Sequence, residues 1–344
     1  MLTSFPGGMK DIISIIEGAY QVDQEPAGWL RNLLETATPT LDHGLGCSAF
    51  FYDATDVNRL RLQEFVSVGA RSDESIMRAI ERSTPERVRW VFRSQACRTA
   101  SEGPDWTINP AAKMFREWGI TDVLFINGLD PSGIGCFVTA KLSAEDRVSQ
   151  GTKQRLSKLA AHLASGYRLV RRLSNEAKRD PSTGSAVLTP SGRVEHADAE
   201  AAEKTALTAL REAVGAIEGA RGKMRRRDPD GAVSSWRGMV NAKWSLVDHF
   251  DRDGKRYVVA RENHAQTPRP RELSLRERQV VAYAALGHTN KLIAYELGIS
   301  ASSVGVLLWR AAKKLGVESR KDLFDAFARS DIGGSAETPD GGEE

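Results

Sequence analysis

The chain has 344 residues, of which 41% are hydrophobic and 27% charged, and a formal net charge of +3. That length exceeds one ordinary domain and predicts two or three. No stretch reaches the ~18 apolar residues of a membrane span, and the first residues lack the basic start and apolar core of a secretion signal. Cys47, Cys97 and Cys136 are widely spaced and include no CxxC pair, which argues against a disulfide framework or a zinc site and predicts reduced core thiols. The expected location is the cytoplasm, at the nucleoid, with no membrane partner.

Basic charge is unevenly distributed. Residues 1–175 carry 21 basic and 20 acidic side chains, residues 176–267 carry 16 and 14, and residues 268–330 carry 11 and 6. The smallest folded segment is thus the most basic, as an electrostatic contact with phosphates requires. Residues 331–344 hold five acids and no base and read as a disordered acidic tail.

In chain order, residues 11–40 read as one helix. Two β-rich runs, 47–52 and 62–68, are joined by the turn-prone DATDVN. A helical stretch runs from Asp73 to Ser94 with a break near Pro85. After a loop rich in Gly, Pro and Asn, residues 122–127 and 134–142 form a hairpin about the turn DPSG. Residues 148–174 form a long helix. Its Leu156, Leu159, Leu163, Val170 and Leu173 fall near a coiled-coil stripe, which suggests a homodimer. This first module spans 1–176. NEAKRDPSTGS is a linker by composition. A second α+β module, 186–262, has short strands at 186–188 and 193–194, helices at 197–217 and 232–240, and a closing hairpin at 244–250 and 256–260. Residues 263–271, with Pro268 and Pro270, form the next linker, across which few contacts are expected. No internal repeat is visible.

Residues 273–329 carry the strongest signal. Ser274 and Glu277 form a capping box before Val280, Val281 and Ala284. Gly287 stops that helix, Thr289 caps a short one, Gly298 supplies a tight turn, and Ser300 caps a longer helix that ends at Gly316. This is helix-turn-helix spacing. In the longer helix Val304, Leu307, Leu308, Ala311, Ala312 and Leu315 make an inward stripe. The other face presents Ser302, Gly305, Val306, Trp309, Arg310 and Lys313 to bases and phosphates, with Ser300 and Ser303 at its start. Arg278, Lys291, Lys314 and Arg320 flank it at positions suited to phosphates.

The segment from Leu273 to Leu323 resembles the helix-turn-helix of the LuxR family, also called GerE-like. The matching residues include Leu273, Arg276, Glu277, Val281, Gly287, Asn290, Lys291, Ile293, Ala294, Leu297, Ser300, Val304, Lys314, Leu315 and Arg320. The resemblance implies an all-α four-helix domain at 268–330 that binds double-stranded DNA as a dimer and works with RNA polymerase. Asn290 enters the candidate interface on this ground. Two positions depart from the family: Gly305 stands where lysine is common, and Leu307 where histidine is common. By the order of its elements the first module resembles a GAF domain, and the second a reduced PAS domain. Both are sensing folds for a small-molecule or protein signal. The expected architecture is therefore two α+β modules, GAF-like then PAS-like, followed by the LuxR-type domain.

Other readings are weaker. Phe50, Phe51, Trp90, Phe92, Phe125 and Phe137 form either a core or a ligand pocket. TDVLFINGLDPSG superficially resembles the phospho-acceptor strand of a receiver, but places Asn127 where the acceptor aspartate belongs. Neither a third glycine near Gly133 and Gly135 nor a phosphate loop around Lys223 supports an enzyme, and the six histidines suggest no metal spacing. No cofactor is expected. KMRRRD at 223–228 reads as a solvated helix end. The alternatives are a protein-interaction regulator and a sigma-like factor that docks this surface on a partner or on RNA polymerase.

Overall fold

The computed structural model describes residues 11–69, 74–94, 96–103, 106–144, 146–175, 185–198, 200–250, 253–263 and 273–332. The linker calls at 176–185 and 263–271 fall mostly outside the described residues, as does the acidic tail at 331–344.

The first module opens with α1 (Ile12–Ala19) and α2 (Pro26–Leu41). The single helix expected here is broken after Tyr20, and the chain restarts helically at Pro26, whose fixed φ suits a first helical position. Strands β1 (Cys47–Asp53) and β2 (Arg61–Val68) follow, then α3 (Glu74–Glu81), α4 (Pro85–Phe92), β3 (Cys97–Thr99), α5 (Pro110–Glu117), β4 (Asp122–Leu129), β5 (Ile134–Leu142) and α6 (Gln150–Asn175). The sheet order is β2-β1-β5-β4-β3, with every neighbouring pair antiparallel.

Alternation sorts the side chains of this sheet. Ala49, Phe51, Ile126 and Val138 pack towards α1, α2 and α6. Phe50 and Phe137, paired across β1 and β5 with ring centroids 5.4 Å apart, point to the other face and meet Phe92 of α4. With both faces covered, β4 and β5 read as nearly continuous apolar runs. Both β3 and α5 lie where only a loop was expected. The Asn109–Pro110 start of α5 is a good helix signal, but it is embedded in turn-forming residues. Only three residues long, β3 is held by pairing with β4 and by Arg98, which lies 4.2 Å from the Trp90 ring centre.

The second module contains β6 (Ala186–Leu188), β7 (Val194–Ala197), α7 (Lys204–Gly219), α8 (Arg225–Arg227), α9 (Pro229–Ser235), β8 (Met239–Val240), β9 (Trp244–Phe250) and β10 (Arg256–Glu262). The helix expected over 232–240 ends at Ser235, and its last two residues instead pair with β9 as an edge strand. The sheet order is β7-β6-β10-β9-β8. Both sheets therefore run second–first–fifth–fourth–third, a repetition of topology with no trace in the sequence. Arg225, expected on a solvated helix end, instead reaches Asp11 and Glu17 of α1 and joins the two modules.

The C-terminal part is helical: α10 (Leu275–Ala285), α11 (Asn290–Leu297), α12 (Ala301–Lys314) and α13 (Arg320–Ile332). Among the described residues no single helix is long and apolar enough to cross a membrane. The pair α11 and α12 has the composition but is bent by 104°, which is the helix-turn-helix corner itself.

Helix α6 organises the whole chain. Leu156, Leu159, Leu163 and Val170, the stripe expected to form a coiled coil, are at most 1% exposed and pack within the chain's own core. The stripe is thus consumed within one chain, so it gives no argument for a dimer. At Gly166 a Cβ would sit 2.1 Å from the carbonyl oxygen of Ala19, so only glycine allows α1 and α6 this contact.

Candidate nucleic-acid interface

The scaffold of the interface is capped as the sequence predicts. Ser274 Oγ accepts from the Glu277 amide at 3.3 Å, and a Glu277 carboxylate oxygen accepts from the Ser274 amide at 2.7 Å. Thr289 and Ser300 cap α11 and α12 with one side-chain bond each, accepting from the Leu292 and Ser303 amides. Gly298 takes the left-handed conformation, φ 61°, at the corner. Val281, Ala311, Leu323 and Phe327 form the core that fixes α12 against α10 and α13. In the expected stripe Val304 and Ala311 are fully buried, while Leu307, Leu308, Ala312 and Leu315 are half-buried.

The outward face of α12 is open. Ser302, Ser303, Arg310 and Lys313 are exposed; Val306 is 47% and Trp309 62% exposed. Lys291 at the start of α11 is exposed too. Lys314, Arg320, Asn290 and Ser300 are engaged within the domain. Lys314 donates to Glu277 at 2.7 Å. Burial raises the Glu277 carboxyl, but its bonds from Lys314 and Ser274 outweigh that and hold it below its ordinary range. Arg320 donates to Asn290 Oδ1 at 3.4 Å and lies over the Phe324 ring. Arg278 is half-buried, and its Nε has no hydrogen-bond partner. Ser300 holds Ser302 and Ser303 at 2.7 and 2.8 Å.

Ser302, Val306 and Arg310 border a cleft of about 760 Å³ whose opposite wall is Ser234, Arg237 and Asn241 of the second module. Arg276 of α10 lines it as well. Sequence reasoning missed Arg237 as a neighbour of α12. It lies over sixty residues upstream in another module, and no local pattern links the two.

The domain is docked on the rest of the chain. Arg168 of α6 forms an ion pair with Asp130 at 2.5 Å and donates to Asn263 at 3.1 Å and to Tyr283 of α10 at 3.0 Å. Burial would raise the Asp130 carboxyl, but Arg168 beside it brings it below its usual value. His162, also on α6, lies between Tyr20 (3.0 Å) and Tyr295 of α11 (2.6 Å), and Tyr295 gives its proton to the Val233 carbonyl. It follows that Nε2 donates to Tyr295 and Nδ1 accepts from Tyr20. Burial brings His162 down to about 3, so the ring is neutral. The Ala242 amide donates to the Leu297 carbonyl at 2.7 Å. The expectation of few contacts between this domain and the modules is therefore corrected. The sequence offered no sign of it because each contact residue also reads as ordinary core.

A second site lies in the first module. A cavity of about 70 Å³ separates its sheet from α3, α4 and α5 and is lined by Phe50, Phe92, Trp106, Phe115, Phe125 and Phe137. Four of the six aromatic residues singled out from the sequence line it. Phe51 instead stacks on Tyr167 at 4.1 Å on the opposite face, and Trp90 lies under Arg98. Asn127, at the receiver-like position, is buried. It accepts from the Tyr52 hydroxyl at 2.6 Å and donates to the carbonyls of Val91 and Phe92, a structural role. Among the described residues no group of His, Cys, Asp or Glu could hold a metal.

Residues 271–327 match the family described as "Bacterial regulatory proteins, luxR family". They form a LuxR-type DNA-binding domain. No curated protein sequence matches the chain. Among solved structures the chain is similar to Escherichia coli SdiA, with 11% identity, a TM-score of 0.32, and 90% of this chain and 92% of that one covered. It is also similar to SdiA in complex with octanoyl-rac-glycerol, with 12% identity, a TM-score of 0.33, and 90% of each chain covered. At such scores the likeness assigns nothing to the chain.

Proposed function

We propose that this protein, a LuxR-type DNA-binding transcription regulator and not an enzyme, reads a two-fold-related promoter site as a homodimer and is controlled through its two N-terminal modules. The observation that carries the DNA-reading assignment is the exposed face of α12, held by three side-chain caps in a domain that matches the family. Ser302, Ser303, Val306, Trp309 and Arg310 read base edges, with Val306 and Trp309 meeting thymine methyls where the family's polar residues are missing. Ser300, Lys291, Lys313, Arg278, Asn290 and Arg320 hold the phosphates, while Lys314 stays on Glu277 and braces the domain. A dimer is the natural reader because one recognition helix spans too few base pairs for high specificity, and symmetric half-sites double the contact.

The two antiparallel sheets, each carrying helices, support reading 1–176 as GAF-like and 186–262 as PAS-like. The cavity in the first module supports a small-molecule signal. Docking through α6 gives such a signal a route to the DNA-binding domain at 268–330, because α6 packs on the sheet that bears the cavity and touches α10 and α11.

Selection of bound fragments from the parent genome, followed by gel shifts over a salt series, tests the assignment. Selective binding that weakens steeply with salt is the expected result. Binding of no fragment under any condition, together with capture of RNA polymerase, would move the reading to the protein-docking alternative.

A further inference from the structure

We propose that the cavity of the first module binds a small organic carboxylate, an acid group on a compact aromatic or apolar body, with Lys141 as its counter-ion. The proposal rests on reading that cavity as a small-molecule site and adds the chemical class.

Lys141 projects from β5 into the cavity and is 3% exposed. Its ammonium has three donors, yet among the described residues its one hydrogen-bond partner is the Ser48 hydroxyl. The acid that acts on it among the described residues is Asp42, and one oxygen of that carboxylate already accepts from the Gly44 and Gly46 amides. Burial lowers Lys141 to about 8, so it remains mostly charged at neutral pH. A buried ammonium without an anion is costly and is normally paired. Among the described residues that line the cavity there is no aspartate or glutamate; Arg87, also in the lining, lies over the Trp106 ring and has a further partner of its own.

The remaining polar groups complete an acceptor's place. Ser48 Oγ accepts from Lys141, so its own proton is available to an incoming oxygen. Thr139, opposite Ser48 in the sheet, keeps that strand pair in register by donating to the Ser48 carbonyl at 3.3 Å. A carboxylate would take charge-assisted bonds from Lys141 and Ser48 together, whereas an amide or ester would leave the ammonium without a counter-charge. The rest of the wall is apolar and aromatic. The cavity is small, about 70 Å³, so the body that carries the acid must be compact.

The test uses the full chain and three probes of similar size: benzoate, benzamide and toluene. Titration calorimetry is combined with the tryptophan fluorescence of the cavity, where Trp106 lies. Benzoate is expected to bind about tenfold more tightly than benzamide. Lys141→Met should abolish that preference and Lys141→Arg should keep part of it, with circular dichroism confirming that both variants fold. Equal binding of benzoate and benzamide, or a preference that survives in Lys141→Met, overturns the proposal. Binding of toluene or benzamide without benzoate overturns the carboxylate class while leaving the cavity a small-molecule site. No binding of any probe up to millimolar concentration overturns both.

Discussion

Arg168 Nη2 and Tyr283 Oη lie 3.0 Å apart and join the longest helix of the first module to the first helix of the DNA-binding domain. Arg168 is also the partner of Asp130 at the β4–β5 turn. One guanidinium thus spans the cavity-bearing sheet, the end of the second module and α10.

Tyr283→Phe removes an acceptor from a buried charged donor. We expect a stability loss of about 1.5–3 kcal/mol and faster hydrogen exchange in α10, read by urea denaturation and mass spectrometry. Exchange in α10 that is already fast in the wild type would show that the domain is not docked in solution.

His162 links stability to pH. Its folded value, about 3, lies below the ordinary histidine value near 6.5. The unfolded chain therefore takes up a proton before the folded one does. The contribution is fully present above about pH 6.5 and is lost at up to about 1.4 kcal/mol per unit as pH falls towards 3. Around the ring stand Tyr20, Trp236 and Tyr295, with no acid among the causes of its shift. Denaturation at pH 7, 5.5 and 4.5 should show a steeper acid loss in the wild type than in His162→Gln; equal slopes would count against the neutral buried ring.

Trp309→Ala should leave the fold intact, since the ring is 62% exposed. Specific DNA binding should weaken by about 1–3 kcal/mol, with little change on random sequence. An unfolded variant would place the ring in the core after all, and unchanged binding would assign the ring to a protein partner.

Lys291 and Lys314 should separate. Lys291→Ala is expected to weaken binding to all sequences and to reduce the salt slope by about 0.9. Lys314 is already bonded to Glu277, so Lys314→Ala should mainly lower the melting temperature of the domain. A salt slope altered equally by both substitutions would show that Lys314 leaves Glu277 for a phosphate.

The sequence disclosed what is local. Ser274, Thr289, Gly298 and Ser300 act through neighbours three or four residues away, so the four helices of the last domain were legible. Strands β1, β2, β4 and β5 showed through their length and apolar content. What remained hidden depends on distant partners. The three residues of β3 are a strand only because β4 lies beside them, and β8 reads as a helix end until β9 pairs with it. Lys141 in a run of strand residues carries no mark of the cavity it enters. Among the interface candidates, Lys314 and Arg320 look like free cations in the sequence. Only the fold shows their acceptors, Glu277 and Asn290.

Besides the Tyr295 hydroxyl, the second module grips the helix-turn-helix by main chain. Ala242, in the left-handed conformation at φ 55°, gives its amide to the Leu297 carbonyl, and Gly298 lies so near the Met239 carbonyl that a Cβ would come within 2.1 Å of it. Neither contact uses a side chain of α12. The residues that choose the operator can therefore drift from one descendant to another without disturbing the seat that holds the domain, so that a lineage can change its target genes and keep its control.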